Sequence, residues 1–99
     1  MSGRVEGLGM TSRAVEKASK VQALLQSSGF YVSRHASSML VMHSDRIVAT
    51  LHVYDEECRL HVYRPWMSEN REALEQLRTL LARLCTSLVE KTMPGDAGA

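Results

Sequence analysis

Residues 30–64 read FYVSRHASSMLVMHSDRIVATLHVYDEECRLHVYR, and this stretch decides the fold. It is rich in Val and Tyr and alternates apolar with polar side chains between short turn-like clusters, a pattern of strands rather than helices. Phe30 to Arg34 alternates, Ala36, Ser37 and Ser38 form a turn, and Met39 to His43 is a second strand. Ser44 and Asp45 make a two-residue hairpin turn without the favoured glycine. Arg46 to Tyr54 follows, Asp55, Glu56 and Glu57 form a charged loop, and Cys58 to Arg64 is the last strand. Pro65 ends it, because proline cannot donate to a ladder.

The turns set a register, and a slip of one residue would turn every side chain to the other face. A three-residue first turn places His35 opposite Met39, the second turn places His43 opposite Arg46, and a four-residue third loop places Tyr54 opposite Arg59. The core face is then Phe30, Val32, Leu40, Met42, Ile47, Ala49, Leu51, Val53, Leu60 and Val62. The opposite face carries Tyr31, Ser33, His35, Met39, Val41, His43, Arg46, Val48, Thr50, His52, Tyr54, Arg59, His61 and Tyr63.

Helical patterns flank the strands. Ala14, Val15, Ala18, Val21, Leu24 and Leu25 recur at three- and four-residue steps, predicting a helix over residues 12–28 with Thr11 or Ser12 as N-cap and Gly29 as its stop. After Trp66, which closes the end of the core, Ser68 is placed to cap a second helix with Glu69 and Glu72 in its first turn. Its apolar set, Ala73, Leu74, Leu77, Leu80, Leu81, Leu84, Cys85, Leu88 and Val89, extends to near Thr92. A helix of that length spans about 36 Å with an apolar arc of roughly half its circumference. That is more than one small sheet can cover, which leaves Leu80, Leu84 and Leu88 for helix 1 and for another chain.

The expected fold is thus α+β, in the order α-β-β-β-β-α, with a four-stranded antiparallel meander and two helices on one face. One domain covers residues 11–93, between flexible tails at 1–10 and 94–99 that have no apolar period to bury.

Composition narrows the functional classes. Of the 99 residues, 44% are hydrophobic and 23% charged, ordinary globular usage, and the net charge of +1 provides no global pull toward nucleic acid or an anionic membrane. No apolar run approaches a membrane span, and no targeting signal opens the chain, so the expectation is a soluble intracellular protein of cytoplasm or nucleus. Cys58 and Cys85 show neither CxxC spacing nor a disulfide framework and read as reduced, partly buried thiols.

No catalytic or cofactor motif is present. A Ser or Cys nucleophile lacks its local signature, the three acids from Asp55 to Glu57 crowd a solvated loop, and the glycines before Met10 form no phosphate cradle. The sequence therefore leads to the expectation of no catalytic residue, no metal and no cofactor. Among the four histidines, the register makes His52 and His61 cross-strand neighbours, but a third metal ligand is missing and His43 lies far along the ladder. They read as an exposed imidazole pair.

The element order resembles that of double-stranded RNA-binding domains and of the small Alu-binding subunits of the signal recognition particle. It is also similar to YbaB-type nucleoid proteins and RWD-type kinetochore modules. An order shared so widely implies no function. Where a double-stranded RNA-binding domain would open its second helix with lysines, this chain has Ser68, Glu69, Asn70, Arg71 and Glu72.

The outer sheet face is the candidate working surface. It holds Tyr, Arg, His and Met with no Lys, Asp or Glu, the composition of a protein interface. The sequence therefore reads as a non-enzymatic protein-binding module, a homodimer or a small subunit or inhibitor of a larger assembly. Its expected contacts are Tyr31, Met39, Val41, His43, Arg46, Val48, His52, Tyr54, Arg59, His61 and Tyr63, with Leu80, Leu84 and Leu88 of the second helix. The first alternative is a nucleic-acid binder that stacks bases on the same Tyr, Arg and His side chains. The second is a metal protein or enzyme built on the His52 and His61 pair.

Overall fold

A computed structural model describes residues 12–94 of the chain. Both expected tails, apart from Pro94, lie outside the described residues, as does Thr11. The element order is α1 (Ser12–Ser27), β1 (Tyr31–His35), β2 (Ser38–His43), β3 (Arg46–Val53), β4 (Cys58–Tyr63), α2 (Arg64–Glu69), α3 (Arg71–Leu84) and β5 (Leu88–Met93). The fold is α+β, built on a single five-stranded sheet in the order β1-β2-β3-β4-β5. The first four strands form the antiparallel meander, and β5 joins β4 in parallel, so the sheet is mixed.

Helix α1 ends where Gly29 dictates. Gly29 has φ +101°, its N–H donates to the Gln26 carbonyl, and the Phe30 N–H reaches back to the Leu25 carbonyl at 3.0 Å. This is a Schellman stop, with Leu25 and Phe30 both buried behind it. Helices α1 and α3 touch each other and pack on the sheet through Ala18, Val21, Leu25, Leu74, Leu77, Leu80 and Leu81. The sheet contributes Val32, Met39, Val41, Val48, Ala49, Leu51, Val53, Cys58, Leu60 and Val62 to the same core.

The meander corrects the expected register in three places. The first loop has two residues, not three: His35 pairs with Ser38, and Ala36 adopts φ 60°. That single-residue difference turns β2 over, burying Met39 and Val41 and moving Leu40 and Met42 to the other face. The second turn is as expected, with His43 opposite Arg46 and both Ser44 (φ 53°) and Asp45 (φ 64°) in the left-handed region that a type I′ hairpin requires. A β-bulge then inserts Val48 into β3, between the pairs Val41 with Ala49 and Met42 with Ile47. Val48 and Ala49 are both fully buried, and from Ala49 onward the strand has the expected face. The bulge cancels the flip of β2. In the third loop Val53 faces Cys58, closed by Tyr54 N–H on the Glu57 carbonyl at 2.8 Å, a two-residue shift that leaves the faces unchanged.

The C-terminal third departs most from expectation. The single long helix is two helices and a strand. Asn70, buried at φ −127°, breaks α2 from α3 and uses its side-chain amide to cap the Ile47 and Trp66 carbonyls at 3.1 and 3.0 Å. Helix α3 stops at Leu84, and the chain returns as β5 beside β4, with Leu88 opposite Cys58. Cys58 and Cys85 are joined in a disulfide, Cα atoms 5.9 Å apart, so they are not the reduced thiols expected. The bond ties the start of β4 to the end of α3, where the Cys58 N–H also donates to the Ser87 carbonyl.

Candidate functional site

Residues paired across neighbouring strands share a face, so the registers define the side of the sheet that no described helix covers. Tyr31, Met42 and Ile47 form one row; Ser33, Leu40, Thr50, His61 and Lys91 a second; His35, Ser38, His52, Arg59 and Val89 a third. Tyr63 and Met93 extend the face along β4 and β5. Among the described residues, the large hydrophobic side chains most open to solvent are Tyr31 (64%), Tyr54 (46%) and Val89 (44%), and all three belong to this face or to its rim.

A polar cluster occupies one end. The rings of His52 and His61 lie 5.1 Å apart, tilted by 52°. They sit on a diagonal, because His52 is opposite Arg59 and His61 opposite Thr50, rather than directly facing each other. Ser38 Oγ shares a 3.0 Å hydrogen bond with His52 Nδ1. Arg59 is held by the Glu57 carboxylate and lies over the Tyr54 ring, 5.1 Å from its centroid. The pKa of His52 is lowered from the ordinary histidine value, first by burial, then by the charges of His61 and Arg59. The Glu57 carboxylate pushes the Arg59 pKa up, keeping that guanidinium charged. Glu57, Arg59, His61, Val89 and Lys91 line a shallow groove of about 310 Å³ between β4 and β5.

The expected contact residues divide. The structure brings Tyr31, His52, Tyr54, Arg59, His61 and Tyr63 together on the open face, with Tyr63 packed edge-on against Trp66 at 4.5 Å. Met39, Val41 and Val48 do not belong there, because the tight first loop and the bulge place them in the core at 3%, 0% and 0% exposure. His43 and Arg46 turn toward the helices: the His43 ring lies 5.3 Å from Phe30, and Arg46 pairs with Glu69 of α2. The surplus apolar stripe on a long helix does not exist. Leu80 is buried, Leu84 packs half-buried on the core, and Leu88 lies on β5 beside Cys58.

Leu40, Met42, Ile47, Val89, Lys91 and Met93 were not expected on this face. The first three follow from the loop and bulge. For β5 the signal is local: Thr86 and Ser87 interrupt the helical pattern, and β-branched Val89 and Thr92 favour a strand. Lys91 places a lysine on a face expected to have none.

Among the described residues no group of three or more His, Cys, Asp or Glu is arranged to hold a metal ion, so His52 and His61 are two ligands without a third. Nor is any described helix long and apolar enough to cross a membrane. No family model, no curated protein and no solved structure matches the chain.

Proposed function

We propose that this chain is a non-enzymatic protein-binding module that pairs with a second copy of itself, or with a partner protein, through the open face of its sheet. One observation carries the reading: among the described residues, the large apolar side chains most exposed to solvent, Tyr31, Tyr54 and Val89, all stand on, or at the rim of, the side of the sheet that no described helix covers. Half-buried Leu40, Met42 and Ile47 stand between the strands' polar residues, and the paired strand positions of this face carry no acid, Glu57 standing in the loop before β4. An apolar patch flanked by polar and aromatic side chains is the composition that protein interfaces favour. The disulfide favours an oxidising setting, so the intracellular expectation is not carried into this proposal.

Nucleic-acid binding is the second reading, favoured by the nearness of Arg59, His61 and Lys91 on one groove. Glu57 neutralises Arg59 in that groove, which leaves a weak field for a polyanion. Salt separates the two. Self-association through apolar side chains holds or tightens as salt rises, whereas oligonucleotide binding falls steeply. Sedimentation of the chain alone and with a labelled single-stranded oligonucleotide, at low and high salt, tests both. A salt-sensitive oligonucleotide complex formed by a chain that stays monomeric would reverse the order of the readings.

A further inference from the structure

Three arginines, Arg64, Arg71 and Arg78, recur at seven-residue spacing along α2 and α3. Seven residues are close to two helical turns, so within α3 the side chains of Arg71, Leu74 and Arg78 share one stripe. With Arg64, Pro65 and Met67 of α2 they line a groove of about 830 Å³ that ends at Pro94, beyond β5. This groove belongs to the helices, not to the open face of the sheet.

The three cations are not equivalent. Arg78 is engaged: Nε and Nη2 donate to the two carboxylate oxygens of Glu90 at 2.8 and 2.7 Å, and Nη1 donates to Glu75 at 2.9 Å. Nearby Glu69 is taken by Arg46. Arg64 and Arg71 are exposed and, among the described residues, make no hydrogen bond or ion pair. Beneath them the floor is apolar: Leu74 is 2% exposed and Met67 is half-buried.

Charge complementarity selects the occupant. A simple anion gains nothing from the apolar floor, and an apolar ligand would desolvate two guanidinium groups without pairing them. Nucleic acid fits poorly, since no aromatic side chain lines the groove for stacking and the acids Glu75 and Glu90 hold its Arg78 end. A peptide with carboxylates beside apolar side chains satisfies both the forks of Arg64 and Arg71 and the floor. We propose that this groove docks an acidic, apolar peptide segment of another protein, held by Arg64 and Arg71 over Pro65, Met67 and Leu74.

The test is fluorescence anisotropy of the full chain with a labelled hexapeptide, Leu-Asp-Leu-Leu-Asp-Ile, and its Asn-for-Asp isostere. The acidic peptide binds saturably, and the isostere or the Arg64→Glu/Arg71→Glu variant loses roughly tenfold or more in affinity. The milder pair Arg64→Gln/Arg71→Gln gives a smaller loss, and equal melting temperatures show that both variants fold. Leu40→Lys, on the open sheet face, binds the peptide as the unmodified chain does, which separates this groove from the proposed self-association surface. Equal binding of the isostere overturns the proposal, as do full binding by the Arg64→Glu/Arg71→Glu variant and absence of saturable binding. Tighter displacement by an oligonucleotide would assign the groove to a polyanion instead. A rise of roughly tenfold or more in peptide affinity on ending the chain at Pro94 would assign it to residues 95–99, and so also overturn docking of another protein.

Discussion

The rings of His52 and His61 stand 5.1 Å apart on the open face of the sheet, brought together diagonally across β3 and β4 rather than directly opposite. Partial burial, the neighbouring His61 and Arg59 all oppose a proton on His52.

This arrangement gives stability a pH dependence of known sign. The folded-state pKa of His52 lies below its unfolded value, so the unfolded chain binds more protons as pH falls through the ordinary histidine range. Stability is therefore full at neutral pH and declines on acidification. The melting temperature is expected to fall from about pH 7 to about pH 5, and His52→Gln to remove part of that slope. An unchanged slope in His52→Gln contradicts the assignment.

The disulfide closes a loop across 27 residues, holding the start of β4 against the end of α3, beside the parallel strand β5. Chain-entropy reasoning gives it about 3.5 kcal/mol. Reduction, or the double substitution Cys58→Ala/Cys85→Ala, is expected to lower the urea midpoint accordingly. Hydrogen exchange should then rise first in β5, whose outer edge pairs with no further strand among the described residues. Uniform exchange across the sheet would show that the bond does not serve this junction.

Two backbone positions carry opposite expectations. Ala36 stands at φ 60° in the first hairpin turn, where glycine carries no Cβ penalty, so Ala36→Gly is expected to stabilise by about 1 kcal/mol. Gly29 stands at φ +101° with open space where a Cβ would go, so Gly29→Ala should destabilise by about 1 kcal/mol through the backbone alone. Chemical denaturation of the pair checks both signs.

The inverted face of β2 has its own test. Val41 is fully buried and Leu40 half-buried on the opposite face. Val41→Ala is expected to cost about 2 kcal/mol and Leu40→Ala under about 1 kcal/mol. The reverse order would restore the three-residue first turn. For the same reason Val48→Glu, which places a charge at a site with no exposure, is expected to unfold the chain rather than dissociate it.

Much of this fold is legible in the sequence, and the failures have physical causes. Alternation from Phe30 to Tyr63 marks four strands and their turns, and the glycine at 29 marks the end of α1. Faces are harder, because a turn length of two or three residues cannot be told from Ala36, Ser37 and Ser38, yet it decides whether Leu40 or Val41 is buried. A bulge at Val48 leaves no local signature, since Ile47, Val48 and Ala49 are all apolar. The leucine period from Leu74 to Leu84 runs smoothly into Leu88, so β5 is masked by a helical period that continues past the last turn. The disulfide is invisible from spacing alone, because only the return of the chain as β5 brings Cys85 beside Cys58. Of the candidate surface, Tyr31, His52, Tyr54, Arg59, His61 and Tyr63 were legible, whereas Leu40, Met42, Ile47 and Lys91 were not, because they depend on the first loop, the bulge and the unforeseen β5.

The proposed open-face interface is tested most directly by the light-scattering mass of the full chain beside the Leu40→Lys/Met42→Lys variant. Twice the 11.1 kDa chain mass is expected for the unmodified protein, and the single-chain mass for a variant with an unchanged melting temperature. A monomer before substitution, or a dimer that survives it, would contradict self-association through this face.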